Sequence, residues 1–255
     1  MNIADYRFIT AAESDDMNER CKPLMVASWL PFMMNDPIGN RLWGKLFEVF
    51  PDYQFVLEDR VTGELIAAGN SLPFHFDRPL TELPDDGWDW VLEKGFSDQR
   101  AGTEPNIMSA LAITIYPEHR GKSLSRHMVE YMKEIGRKNG FRSLVAPVRP
   151  SRKADYPIIP IGQYVAWKDE NGLPFDPWLR VHARLGAEII SVCHHAMRVP
   201  GTVAQWERWS NLTFPESGRY TVPGALTSIT VDRERDLAEY VEPNVWMRHP
   251  IEPAK

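Results

Sequence analysis

The chain has 255 residues, 43% of them hydrophobic, enough to bury a sizeable core as one large domain or as a core domain with additions. Its formal charge of -6 argues against a general nucleic-acid binder, which needs a basic field to meet phosphate backbones. The two cysteines, Cys21 and Cys193, argue against a disulfide framework and for a reducing, cytoplasmic compartment.

From the amino end, residues 1–10 carry no charged lead followed by an apolar signal region and read as a first strand. The apolar run 24–30 is broken by Pro31 and is too short to span a bilayer, so no membrane partner is expected. Residues 13–34 and 39–50 read as two helices, the second with Leu42, Leu46, Val49 and Phe50 on one side. Residues 53–59 and 64–71 then form a hairpin across 60–63. Residues 78–106 are rich in Pro, Gly and acids, with Trp88 and Trp90 on either side of Asp89. Two readings stand there: a lid whose Glu82, Asp85, Asp86, Asp89 and Glu93 attract a cation, or a solvated acidic excursion anchored by its tryptophans.

The stretch 111–125 is an apolar strand running through a short basic turn into a helix. Leu124, Met128, Tyr131, Met132 and Ile135 recur at helical spacing, and Asn139-Gly140 supplies the stop. A helix opening directly from a basic turn presents unpaired amides and a positive dipole end, which favour a bound phosphate. The apolar run 144–148 suits a parallel neighbour strand and completes a β-α-β unit. An excursion, 149–160, leaves the carboxyl end of that strand, and its Arg149, Arg152 and Lys153 are placed to meet an anion.

Further on, Asp176 caps a helix with Pro177 at its first position, and Gly186 ends it. Residues 187–199 read as a late strand on which the adjacent His194 and His195 face opposite ways. They make a poor metal pair, and no metal-ligand spacing occurs elsewhere, so no metal is expected. Residues 202–249 hold enough aromatic and aliphatic mass to pack, with 227–231 as the last strand. No repeat or boundary divides the chain, which reads as a single domain, 1–255, with insertions near 78–106 and 149–174 and an extension near 200–255.

Two segments resemble the GCN5-related N-acetyltransferase (GNAT) superfamily. Its acyl-CoA motif reads Gln or Arg, two residues, Gly, one residue, then Gly or Ala; here it is Arg120-Gly121-Lys122-Ser123-Leu124-Ser125, entered through Tyr116-Pro117-Glu118-His119. Ser123 and Ser125 stand where the family has glycine, and glycine or alanine. A serine crowds a diphosphate, but its hydroxyl can donate to the same oxygens. The second segment is 175–187, similar to a family helix ending in Leu-Tyr, two variable residues and Leu-Gly-Phe, whose Tyr often protonates the departing CoA thiolate. His182 takes that place; an imidazole, with an ordinary pKa of about 6.5, suits the same role, or else is a structural ring bonded to a backbone carbonyl.

The resemblance implies an α/β (α+β) fold: a mixed, mostly antiparallel sheet whose central parallel strand pair splays to admit acyl-CoA, with helices on both faces. Acetyl-CoA or another acyl-CoA is the implied co-substrate, its diphosphate on Arg120, Gly121, Lys122, Ser123, Leu124 and Ser125. Backbone N–H groups of Ile113 and Ile115 would bind the pantetheine arm and polarise the thioester. The implied reaction is direct transfer of an acetyl group to an amine of a small molecule. The first helices would cover the cleft, bringing Trp29, Phe32, Met33, Met34 and Trp43 to the acceptor or simply packing them on the sheet. Where the family often has a glutamate base this chain has Ser109 and Ala110; His75, or water leading to an acid of 78–106, would have to serve. A non-catalytic acyl-CoA binding or sensing protein, and an acyltransferase using a longer thioester, stay open beside this reading. So do the acceptor's identity and the oligomeric state, a homodimer included.

Overall fold

The computed structural model describes residues 3–252; Met1 and Asn2, read above as part of a first strand, lie outside it. Strand β1 (Tyr6–Thr10) leads into helix α1 (Met17–Ser28), which buries Met17, Cys21 and Leu24 at helical spacing. The helix ends at Trp29 rather than near residue 34, because Pro31 lacks an amide and pushes the residue before it out of helical conformation. The second expected helix is broken into α2 (Pro37–Leu42), a 3-10 turn at Trp43–Lys45 and α3 (Leu46–Val49). Asp36 caps α2 by accepting the Gly39 amide, with Pro37 at the first position.

The hairpin forms as β2 (Gln54–Asp59) and β3 (Leu65–Phe74). The segment 78–106 is neither a lid nor a solvated excursion: it contains α4 (Gly87–Ala101), a core helix. Trp88, Val91, Leu92, Gly95 and Phe96 fall on its buried face, three and four residues apart. A Cβ on Gly95 would stand 2.5 Å from Leu72 Cδ1, so the glycine is what lets α4 lie close on β3.

Next come β4 (Ile107–Ile115), α5 (Leu124–Lys138) and β5 (Ser143–Val148), the expected β-α-β unit. The chain continues through α6 (Ile161–Ala166), α7 (Pro177–Arg184), β6 (Glu188–Gly201), α8 (Val203–Ser210), β7 (Gly218–Tyr220), β8 (Ile229–Asp232) and β9 (Leu237–Pro250). The sheet runs β1-β2-β3-β4-β5-β9-β8-β7, with β6 also paired to β9. Among the described residues only β4 and β5 run parallel; every other strand pairing is antiparallel.

The segment expected as the last strand is therefore β8, and the true last strand, β9, inserts beside β5. On one face α5 packs over Met108 and Leu144, and α7 over Ala146 and Val148. On the other, α1 covers Val56 and Ala68, while α2 and α4 cover Leu72, Leu111 and Trp246. Among the described residues no helix is long and apolar enough to cross a membrane.

Candidate active site

Strands β4 and β5 pair only at Met108 with Leu144 and Ser109 with Val145, and beyond those positions they part. β4 bulges at the same point: Ala110 opposes Ser71 and Ala112 opposes Asn70, leaving Leu111 as the extra residue. The Leu111 carbonyl, turned out of the ladder, accepts the Trp88 indole N–H at 3.0 Å. Past the bulge the Tyr116 amide donates to Ile66 on β3. Strand alternation then directs the amides of Ile113 and Ile115 to the opposite edge, toward the gap left by β5. On that edge the Ile115 carbonyl is taken by Arg120 Nε at 3.1 Å.

The gap runs out into the turn before α5. Gly121 has φ of +76° and Ser123 of +59°. That conformation suits glycine, and Ser123 holds it at a cost of about 1–2 kcal/mol. The first amide of this region to find a carbonyl is that of Arg126, 3.3 Å from Ser123 O. Those of residues 121–125 make no hydrogen bond among the described residues, and Gly121, Lys122 and Ser123 are exposed. Leu124 is the exception in orientation: its side chain is buried with Met128 and Met132, so only its backbone faces the turn. Lys122 Nζ stands 3.3 Å from His119 Nδ1. The structure thus gathers Arg120, Gly121, Lys122, Ser123, Leu124 and Ser125 at the mouth of the gap, with Ile113 and Ile115 along its edge.

His182 lies on α7, whose cap Asp176 accepts from the Trp178 and Leu179 amides. It is 3% exposed, and its Nδ1 sits 2.8 Å from His249 Nε2 on β9. His249 pairs with Leu144 and so stands level with the closed end of the split. Burial, reinforced by the neighbouring ring, lowers His182 to about 3, and burial with nearby Lys133 lowers His249 to about 4. Both rings are neutral at physiological pH, and His182 Nε2 has no partner among the described residues.

The cations expected to meet an anion are engaged by the chain itself. Arg149 Nε donates to Glu242 Oε2 at 2.9 Å and its Nη2 to the Gly224 carbonyl. Lys153 is fully buried, held by the carbonyls of Tyr156 and Leu226 at 2.7 Å, and burial lowers it to about 8. Arg152 pairs with Asp155. The Tyr240 hydroxyl also donates to Glu242 Oε2, and among the described residues Glu242 Oε1 and Asn244 Oδ1 are buried without a partner. Both lie on β9 just past the end of β5, since Val245 opposes Val148.

Across β4 from α5 opens a cavity of about 520 Å³. Trp29, Met33, Met34 and Trp43 line it, whereas Phe32 is buried and stacks on Trp206 at 5.4 Å. Trp29 Nε1 donates to Thr114 Oγ1 at 3.3 Å and Trp88 closes on Leu111, so the cavity lies against the bulged half of β4. Asp36 lines it, and Asp89 adjoins it beside Trp88. His75 is at the far end of β4, bonded to the Glu104 carbonyl near the Phe74–Ile107 pair, and is out of place as a base.

Sequence reasoning passed over Asp36, Glu242 and Asn244. Asp36-Pro37 is a cap signature and reads as nothing more; Glu242 carries a faint signal, an acid within a run of strand-forming residues.

No family model matches the sequence. The arginine N-acetyltransferase avaD of Aspergillus versicolor is 32% identical over 275 residues, covering 96% of this chain and 94% of that protein. Among solved structures, the loading GNATL domain of CurA from Lyngbya majuscula matches with a TM-score of 0.65 at 18% identity, covering 96% of this chain and 98% of that one. The GphF GNAT-like decarboxylase, solved with isobutyryl-CoA, matches with a TM-score of 0.55 at 15% identity, covering 97% and 99%. These two likenesses show the fold.

Proposed function

This chain belongs to the GCN5-related N-acetyltransferase superfamily and is an acyl-CoA-dependent N-acetyltransferase, and we propose that it moves an acetyl group from acetyl-CoA to an amine of a small molecule. Arginine is the acceptor proposed first, because the Aspergillus relative is an arginine N-acetyltransferase. One observation carries the reading. β4 bulges where it parts from β5, and the resulting gap ends on a run of amides that the protein itself leaves free.

In this reading the diphosphate rests on the amides of residues 121–125, with Arg120 and Lys122 adding charge at the rim. The pantetheine arm lies along the β4 edge and hydrogen-bonds the Ile113 and Ile115 amides. The acceptor enters from the tryptophan cavity on the opposite face, so donor and amine meet across the bulge. The amine nitrogen attacks the thioester carbon, the C–S bond breaks, and the sulfur leaves as a thiolate. Glu242 Oε1, bare while Arg149 and Tyr240 hold the other oxygen, takes the amine proton. His182 serves the departing sulfur through Nε2 as a neutral N–H donor, the tautomer in which His249 Nε2–H donates to His182 Nδ1.

The test is release of free thiol from acetyl-CoA over a panel of amines that includes arginine, with the product identified by mass. The expected result is mono-acetylated arginine in step with thiol release. Retention of CoA without transfer to any amine would instead make the chain a binding protein of the same fold, and faster turnover with a longer thioester would reassign the donor.

A further inference from the structure

Asp36 lines the cavity beside β4, Asp89 follows its wall residue Trp88, and acyl transfer gives neither carboxylate a role. Asp36 is 2% exposed and Asp89 is 6% exposed. Asp36 Oδ2 accepts the Gly39 amide, and Asp89 Oδ2 accepts the Arg198 amide at 3.0 Å. The second oxygen of each, Oδ1, is buried with no partner among the described residues. Asp36 is in the cavity wall; Asp89 follows Trp88, and its anchor Arg198 follows Met197, both of them wall residues. A Cβ built on Gly39 would lie 3.1 Å from Asp36 Oδ2 and 3.6 Å from Trp88 Cη2, so the Asp36 carboxylate and the Trp88 ring approach each other over that glycine.

The pair has no cation of its own. Among the described residues neither Asp36 nor Asp89 forms an ion pair. The charge of Arg41 on α2 acts on Asp36, but Arg41 is already paired with Glu93 of α4. Lys22 of α1 lines the same cavity, and Glu242 of β9 adds negative charge. Burial raises Asp36 to about 6; burial and then repulsion from Asp36 raise Asp89 to about 8. Two desolvated carboxylates with free oxygens are costly unless a cation completes them.

The walls supply the rest of a cation site. Trp29 meets Trp43 edge to face at 5.4 Å, and Trp43 stacks on Trp88 at 6.0 Å. An indole face above a carboxylate suits a flat, weakly hydrated cation with several donors better than a compact ammonium.

We infer that Asp36 and Asp89 form a subsite for a guanidinium carried by the acceptor at a distance from the amine that is acetylated, with the tryptophan walls stacking on its plane. The inference rests on reading the cavity as the acceptor's. It makes the enzyme select for charge on the far end of the acceptor rather than for the amine alone.

The experiment is calorimetric titration of the whole protein, held with saturating CoA, by arginine, by its neutral analogue citrulline and by ethylguanidine, which has no amine to acetylate. Arginine and ethylguanidine should bind, with citrulline about 30-fold weaker than arginine. Asp36→Asn and Asp89→Asn should each weaken arginine by about tenfold or more while leaving citrulline and CoA binding unchanged. Arginine affinity should also tighten from pH 6 to pH 8, as protons leave the pair. Equal binding of arginine and citrulline would overturn the subsite with no variant needed. Should Asp36→Asn fail to fold for want of its cap, Asp89→Asn answers alone. Arginine acetylated undiminished by the variants removes the subsite and keeps the transferase; arginine bound through the pair with no amine ever acetylated removes the transferase and keeps the subsite.

Discussion

Trp88 and Leu111 are joined at the point where the sheet opens: the indole N–H of α4 donates at 3.0 Å to the carbonyl that the β4 bulge turns out of the ladder. The bond is buried, so no water replaces it. Trp88→Phe keeps an aromatic ring and removes the donor, which should destabilise the protein by about 1–3 kcal/mol. At this chain length that lowers the melting temperature by roughly 3–8 °C. Differential scanning fluorimetry reads the loss, and an unchanged melting temperature would mean that the carbonyl has another donor.

The turn before α5 offers a pair of opposite substitutions. Ser123 holds φ of +59°, so Ser123→Gly should stabilise by about 1 kcal/mol and leave the KM for acetyl-CoA unchanged or lower. Gly121 holds φ of +76° in open space, with nothing within 4 Å of a built Cβ. Gly121→Val should therefore act through backbone strain rather than collision, raising the KM for acetyl-CoA by roughly tenfold as the amides turn away. Thiol-release kinetics with both variants decide the matter; parallel changes in the two would count against an amide cradle.

Glu242→Gln retains the shape of the side chain and much of its contact with Arg149 while removing its capacity as a base. Turnover should fall about 100-fold with little change in the KM for acetyl-CoA. A variant as fast as the parent would exclude Glu242 from proton transfer.

The buried imidazole pair sets the response to acid. In the unfolded chain both rings take a proton near pH 6.5, but folded His182 and His249 resist it down to about 3 and 4. The unfolded state therefore binds more protons between those limits, and stability falls as pH drops from 6.5. By pH 5 the loss is about 2 kcal/mol per ring. Urea unfolding across pH 5 to 7.5 should show this slope in the parent and a shallower one in His182→Gln. His182→Ala should slow turnover more than it weakens CoA binding.

Asp89 acts in the other direction. Its folded pKa, raised to about 8, exceeds the ordinary value of 3.8, so the folded state is the one that binds the extra proton. That contribution is complete below pH 4 and is lost as pH climbs toward 8. Asp89→Asn should stabilise the ligand-free protein at pH 8 to 9, by about 2–3 kcal/mol after allowance for water entering the cavity, and have little effect below pH 4. Melting curves at the two pH values test the sign.

Much of the architecture was legible because it is written in local patterns. Apolar periodicity marked α5, Asp176-Pro177 marked the start of α7, and the basic turn with Gly121 marked the mouth of the gap. The family resemblance offered Trp29, Phe32, Met33, Met34 and Trp43 either as cleft residues or as packing on the sheet; the first, third, fourth and fifth line the cavity, and Phe32 turns into the core. The helix in 78–106 was missed because its proline-rich and acidic approach masked a sound buried stripe from Trp88 to Phe96.

The chain's own sequence determined its strand and helix segments, their caps and the free amides before α5, since each depends on residues only a few positions apart. Only the tertiary structure decided which distant groups meet. Arg149 finds Glu242 across 93 positions and His182 finds His249 across 67, both because β9 inserts beside β5. That insertion is settled by burial of a whole strand rather than by any local preference. It turned Arg149, expected to bind an anion, inward, set His182 against a second buried ring and left Glu242 Oε1 bare past the end of β5, none of which a spacing of residues can express.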